Sequence, residues 1–151
     1  MGVVTRVLEV FAPLFGHWQG SEAQFASPWG PATTARAILS FRAEVGGAAM
    51  VNDYRQVRAD GSEFYGHGVF LVADAPSVSW WNFDSYGYPP VPATGDWQDH
   101  ELVLAKTTTR GAAVHRFGID GDELTYAVDL GTTGEAVRPF LRGRYRALST
   151  H

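Results

Sequence analysis

From residue 35 to residue 45 the chain alternates. Ala35, Ala37, Leu39, Phe41, Ala43 and Val45 fall on one face of an extended segment, and Arg36, Ser40, Arg42 and Glu44 fall mostly on the other. Further strand-like runs cover 48–58, 62–72, 77–85, 96–100, 101–109, 112–119, 123–130 and 137–148. They are separated by Gly46-Gly47, Asp60-Gly61, Gly111, Asp120-Gly121-Asp122 and residues 131–134, all of turn composition. With a first strand opened by Gly16, this makes about ten strands joined in sequence by hairpins. A sheet built that way loses both exposed edges only by closing on itself. The expected fold is therefore all-β: a closed antiparallel up-and-down β-barrel forming a single domain over residues 1–151.

Only the start of the chain has a helical period. Val7, Leu8, Val10, Phe11, Leu14 and Phe15 recur at helical spacing ahead of Gly16, which predicts one short N-terminal helix. Glu9 and Pro13 interrupt this stretch, it lacks the marks of a cleaved leader, and no run approaches the roughly 20 apolar residues of a membrane span. A cytoplasmic protein without a membrane span is expected. The absence of cysteine removes disulfides, thiolate nucleophiles and thiolate metal sites. A formal net charge of -4 offers no basic footprint for nucleic acid, which is excluded as a partner.

Three motif groups carry more than a fold class. Gly16-x-Trp18-x-Gly20 opens the first strand, Asp60-Gly61 and Gly66-x-Gly68 surround the fourth, and Trp80-Trp81-x-Phe83-Asp84-Ser85-x-Gly87 leads from the fifth into a turn. In this order they resemble the calycin superfamily, and within it the DUF1579-type bacterial domains related to fatty-acid-binding-protein-like barrels and to the heme-binding nitrobindins. The resemblance spans nearly the whole chain. It implies that Trp18 plugs the closed end of a ligand-binding barrel, under a guanidinium from Arg142, Arg144 or Arg146. Glu22 departs from the nitrobindin-like pattern Gly-x-Trp-x-Gly-x-Gly, standing where the last glycine would. Heme binders of this kind ligate iron through a histidine late in the chain, and residues 137–148 contain none. No cofactor is expected, heme being disfavoured on that ground.

Candidate site residues follow from alternation. Trp80 and Trp81 must point to opposite faces, so one lines the interior. With Trp80 as the inward member, Asn82 and Asp84 share its face, and Asp84 either caps the following turn or meets the cavity mouth. Tyr65 and His67 alternate with Val69 and Leu71, which predicts a phenol and an imidazole entering the barrel. His115 alternates with Ala113, Phe117 and Ile119, and Tyr126 with Leu124, Val128 and Leu130. The expected ligand-binding set is Tyr65, His67, Trp80, Asn82, His115 and Tyr126.

These residues point to a cavity that binds a small hydrophobic or aromatic molecule, with the proline-rich loop 86–94 as lid or rim. The alternative is a cavity enzyme of isomerase, cyclase or hydratase type, in which His67 or His115 is the general base and Asp84 or a tyrosine the acid. A third reading is an interaction protein, including a homodimer, that uses the outward tryptophan and the proline loop as its contact patch. No Gly-x-Ser-x-Gly elbow, phosphate loop, His-Glu-x-x-His or dinucleotide fingerprint occurs, and five singly placed histidines predict no metal site.

Overall fold

The fold is given by a computed structural model that describes residues 3–73 and 77–148. Helix α1 (Val3–Phe11) and a 3-10 turn (Ala12–Leu14) precede ten strands. These are β1 (Gly16–Gln24), β2 (Thr33–Glu44), β3 (Ala49–Arg58), β4 (Glu63–Val72), β5 (Val78–Asp84), β6 (Ala93–Gln98), β7 (Glu101–Thr108), β8 (Gly111–Asp120), β9 (Glu123–Thr132) and β10 (Arg138–Ala147). Each strand pairs antiparallel with its neighbours in sequence. β1 meets β10 along pairs running from Trp18–Ala147 to Gln24–Leu141, which closes the up-and-down barrel.

Two turns are longer than their dipeptides suggested. Residues 45–48 form a four-residue turn with Val45, Gly46 and Gly47 at φ 56, 62 and 85°. Asp60-Gly61 lies in the turn 59–62, where the Asp60 carboxylate accepts hydrogen bonds from Ser62 N (2.9 Å) and Oγ (2.6 Å). The side chain supplies a partner that a tighter turn would have supplied from backbone.

One end of the barrel is sealed from within. α1 packs against β3 and β4, and Val7, Phe11 and Leu14 are fully buried. The Phe11 ring lies 5.6 Å from that of Phe70. Trp18 donates its indole N–H to the Leu14 carbonyl at 2.9 Å, tying the first strand to the 3-10 turn. Burying each such side chain contributes roughly 1.5–3 kcal/mol. The arginines expected over Trp18 lie elsewhere, because β10 turns Leu141, Gly143 and Tyr145 inward and its arginines outward. Arg142 pairs with Asp129, and Arg144 with Asp120 and Glu123.

The other end is looser. β5 and β6 pair only from Val78–Gly95 to Trp80–Ala93, and beyond Trp80 the two strands part. On β10 the register with β9 shifts between Pro139 and Leu141. Phe140 is the extra residue of this bulge, and its ring meets that of Trp29 edge-on at 6.2 Å.

Candidate functional site

Two strands decide what the interior can hold. β3 turns Asn52, Tyr54, Gln56 and Arg58 toward the cavity, a polar row on the inner face. β4 turns Phe64, Gly66, Gly68, Phe70 and Val72 inward. Gly68 is required by what crosses it: a Cβ there would stand 2.1 Å from both Asn52 Oδ1 and Trp80 Nε1. Those two atoms form a 3.1 Å hydrogen bond, with the Trp80 indole donating over the glycine.

This arrangement corrects the reading of β4. With its glycines facing inward, Tyr65 and His67 lie on the outer surface, the reverse of the expected orientation, and do not line the interior. His67 Nδ1 is 2.6 Å from Asp53 Oδ1, and Asp53 Oδ2 accepts from Arg42 at 2.6 Å. Burial opposes ionisation of Asp53, but its bonds to His67 and Arg42 outweigh it and hold the carboxyl below its ordinary value. Tyr65 donates to Glu63 at 2.9 Å.

The remaining expected residues converge on the inside. Trp80, Asn82, Asp84, His115 and Tyr126 all border one cavity of about 600 Å³. Trp80 is the inward tryptophan, 2 % exposed, while Trp81 lies on the outer face opposite Val69. His115 meets the Trp80 ring edge-on at 4.9 Å, and Phe117 stacks on Tyr126 at 4.4 Å. His115 Nδ1 is hydrogen-bonded to the Tyr126 hydroxyl at 2.8 Å. Among the described residues no hydrogen bond is made by Nε2, so the imidazole has one anchored nitrogen and one unclaimed nitrogen beside the cavity. Burial first, and then the positive charge of Lys106, push the His115 pKa down to about 3. The ring is neutral at physiological pH. Depending on its tautomer, Nε2 presents an N–H or a lone pair.

Across the cavity lies a cluster that alternation did not reveal. Glu22, 3 % exposed, accepts hydrogen bonds from the Tyr54 hydroxyl (2.6 and 2.8 Å), from Gln56 Nε2 (2.7 Å) and from the Tyr145 hydroxyl. Arg58 Nε donates to Gln56 Oε1 at 3.0 Å. Burial, then the Glu22 carboxylate, raise the pKa values of Tyr54 and Tyr145 and keep both hydroxyls protonated as donors. The one available signal was the departure from glycine at position 22.

The mouth carries charge. Asp84 accepts from the Tyr86 amide at 2.9 Å, so it caps the turn and borders the cavity at once. Tyr86, Tyr88, Pro89, Pro90 and Val91 form part of the rim, in the connection expected to do so. Arg110 lies over the Tyr88 ring at 3.9 Å and Arg58 over Phe64 at 5.6 Å. Lys106 borders the same space.

The interior does not fit heme in the manner the resemblance implies. β10 offers Leu141, Gly143 and Tyr145 to the interior, and the Tyr145 hydroxyl fills the space above Gly143, 2.1 Å from where a Cβ would stand. No imidazole is available there. Among the described residues no group of three or more metal-ligating side chains comes together, and no helix is long and apolar enough to cross a membrane.

No family model and no curated protein matches the sequence. Solved structures do. The protein Rv2717c from M. tuberculosis has a TM-score of 0.80 at 21 % identity, with 95 % of this chain and 98 % of that one covered. The S-type phycobiliprotein lyase CPES from Guillardia theta has a TM-score of 0.72 at 12 % identity, covering 96 % and 94 %. EF1p2_mFAP2b, solved bound to DFHBI, has a TM-score of 0.51 at 13 % identity, covering 92 % and 97 %. At these identities the likeness is one of fold.

Proposed function

We propose that this protein binds a small hydrophobic or aromatic molecule inside the barrel, between the Trp80–His115–Tyr126 wall and the 85–92 rim. The observation that carries the reading is a buried neutral imidazole with a free Nε2 in an aromatic cavity of about 600 Å³, within the size range of small-molecule sites. Phe64, Tyr86 and Tyr88, whose rings are less buried than those of Trp80 and Phe117, give a planar ligand its ring surfaces toward the mouth. His115 Nε2 and Asn82 fix its orientation, and Arg58, Lys106 and Arg110 favour an electron-rich or anionic end at the mouth. One structural neighbour was solved bound to DFHBI and another is a phycobiliprotein lyase, which supports reading a barrel of this shape as a small-molecule site. The finer kinship, with DUF1579-type and nitrobindin-like domains, rests on the Gly16–Gly20 and Trp80–Gly87 motifs.

Binding is favoured over catalysis by the same imidazole. A base whose conjugate acid has a pKa of about 3 abstracts protons poorly at neutral pH. His67, the other proposed base, lies outside the barrel against Asp53. A native mass spectrum and an absorption spectrum of the purified protein, before and after adding hemin, test the proposal. The expected result is an organic mass released on denaturation and no Soret band. A Soret band that disappears in His115→Ala would instead make this a heme protein.

A further inference from the structure

Lys106 is the only lysine among the twelve lysine and arginine residues of the chain. It lies on the inner row of β7, after Leu102 and Leu104, and borders the cavity. Its neighbours leave it room: its cross-strand partner on β8 is Ala113, and Ala93 of β6 is also inward and small. Among the described residues Lys106 makes no hydrogen bond and no ion pair, whereas Arg42, Arg55, Arg116, Arg142 and Arg144 all pair with carboxylates. Arginine supplies the outward charge of this barrel. The one primary side-chain amine is half-buried against the ligand space.

We propose that Lys106 captures an aldehyde or ketone ligand as a reversible imine, which makes the cavity a site for carbonyl compounds carried on an apolar or aromatic body. The inference rests on the cavity being a ligand site and names its ligand class. Guanidinium cannot replace the amine in this role, because it remains protonated and non-nucleophilic. The Lys106 pKa is lowered by burial; Asp84 opposes that shift and Arg110 adds to it, so more of the amine is free than at an exposed lysine. The Nζ lone pair adds to the carbonyl carbon, and one amine hydrogen passes to the carbonyl oxygen to give a carbinolamine. Loss of that hydroxyl with the second hydrogen as water leaves the C=N bond. No oxidant or further reactant is needed.

The test uses 2-naphthaldehyde with sodium cyanoborohydride on the full chain, read by intact mass and peptide mapping. Binding of 2-naphthalenemethanol, which cannot form an imine, is followed in parallel by fluorescence. The expected result is a single naphthylmethyl adduct on Lys106, formed about tenfold faster in the folded than in the urea-unfolded chain. The α-amino group serves as internal reference. Lys106→Arg, which keeps the positive charge without a nucleophilic amine, loses the adduct. Labelling of Lys106 no faster than in the unfolded chain, or at the α-amino group alone, overturns the proposal while alcohol binding leaves the ligand site standing. A wild-type protein that neither binds the alcohol nor forms the adduct removes both readings together.

Discussion

His115 is a titratable side chain that the fold keeps from titrating. Its ordinary pKa of about 6.5 falls to about 3 in the barrel. As pH drops below 6.5 the unfolded chain takes up a proton that the folded one refuses until about pH 3, so the neutral imidazole's contribution to stability is complete above that window and lost across it. The slope reaches about 1.4 kcal/mol per pH unit. Urea midpoints between pH 7 and pH 4 should therefore fall more steeply for the wild type than for His115→Gln. Parallel slopes would mean that the folded imidazole titrates like a free one. The inward position of this residue was legible because Ala113, Phe117 and Ile119 mark its face as apolar. Glu22 shares the inward face of Trp18, but a carboxyl there reads as a surface residue in one dimension; its partners Tyr54, Gln56 and Tyr145 are set by the register of β1 against β2 and β10.

Strands β3 and β4 show where a period-two reading fails. The rule assumes that the inner face is the apolar one. On β3 the inner row is Asn52, Tyr54, Gln56 and Arg58, and on β4 it contains Gly66 and Gly68, which carry no hydrophobic signal. The expectation that Tyr65, His67, Val69 and Leu71 face inward follows the Val69–Leu71 end of the strand, whereas Phe64, Phe70 and Val72 mark the opposite row as the inner one; a shift of one residue in facing exchanges the whole set. β8 and β9 kept their assignments because their inner rows are mostly hydrophobic or aromatic, and the structure settles β5 with Trp80 inward. The glycine row can be tested in its own right. Gly68→Ala places a methyl where Trp80 Nε1 and Asn52 Oδ1 meet, so the indole or the amide must move. A loss of about 1–3 kcal/mol and a shifted tryptophan emission are expected from thermal unfolding and fluorescence. An unchanged melt and spectrum would show that the indole is not pinned over the glycine.

At the scale of the molecule, one end is sealed by α1, Leu14 and Trp18 and the other opens where β5 leaves β6. Closure removes every sheet edge, so ten short strands make a stable wall without a solid centre. The strand count and the order were readable from turn spacing, and the N-terminal helix from the helical period of Val7 to Phe15. The bulge at Phe140 and the parting at Trp80 were not, since both arise from closing the circle. If the barrel holds the proposed ligand, filling its cavity should abolish binding without unfolding it. Titration with 1-anilinonaphthalene-8-sulfonate compares the wild type with Ala113→Phe, whose added ring occupies the cavity beside Lys106 and His115. Saturable binding of one probe per chain, with Trp80 emission quenched, should be lost in the filled variant while its circular dichroism and melting cooperativity persist. Equal binding by both proteins would place the probe on the outer surface and contradict an internal ligand site.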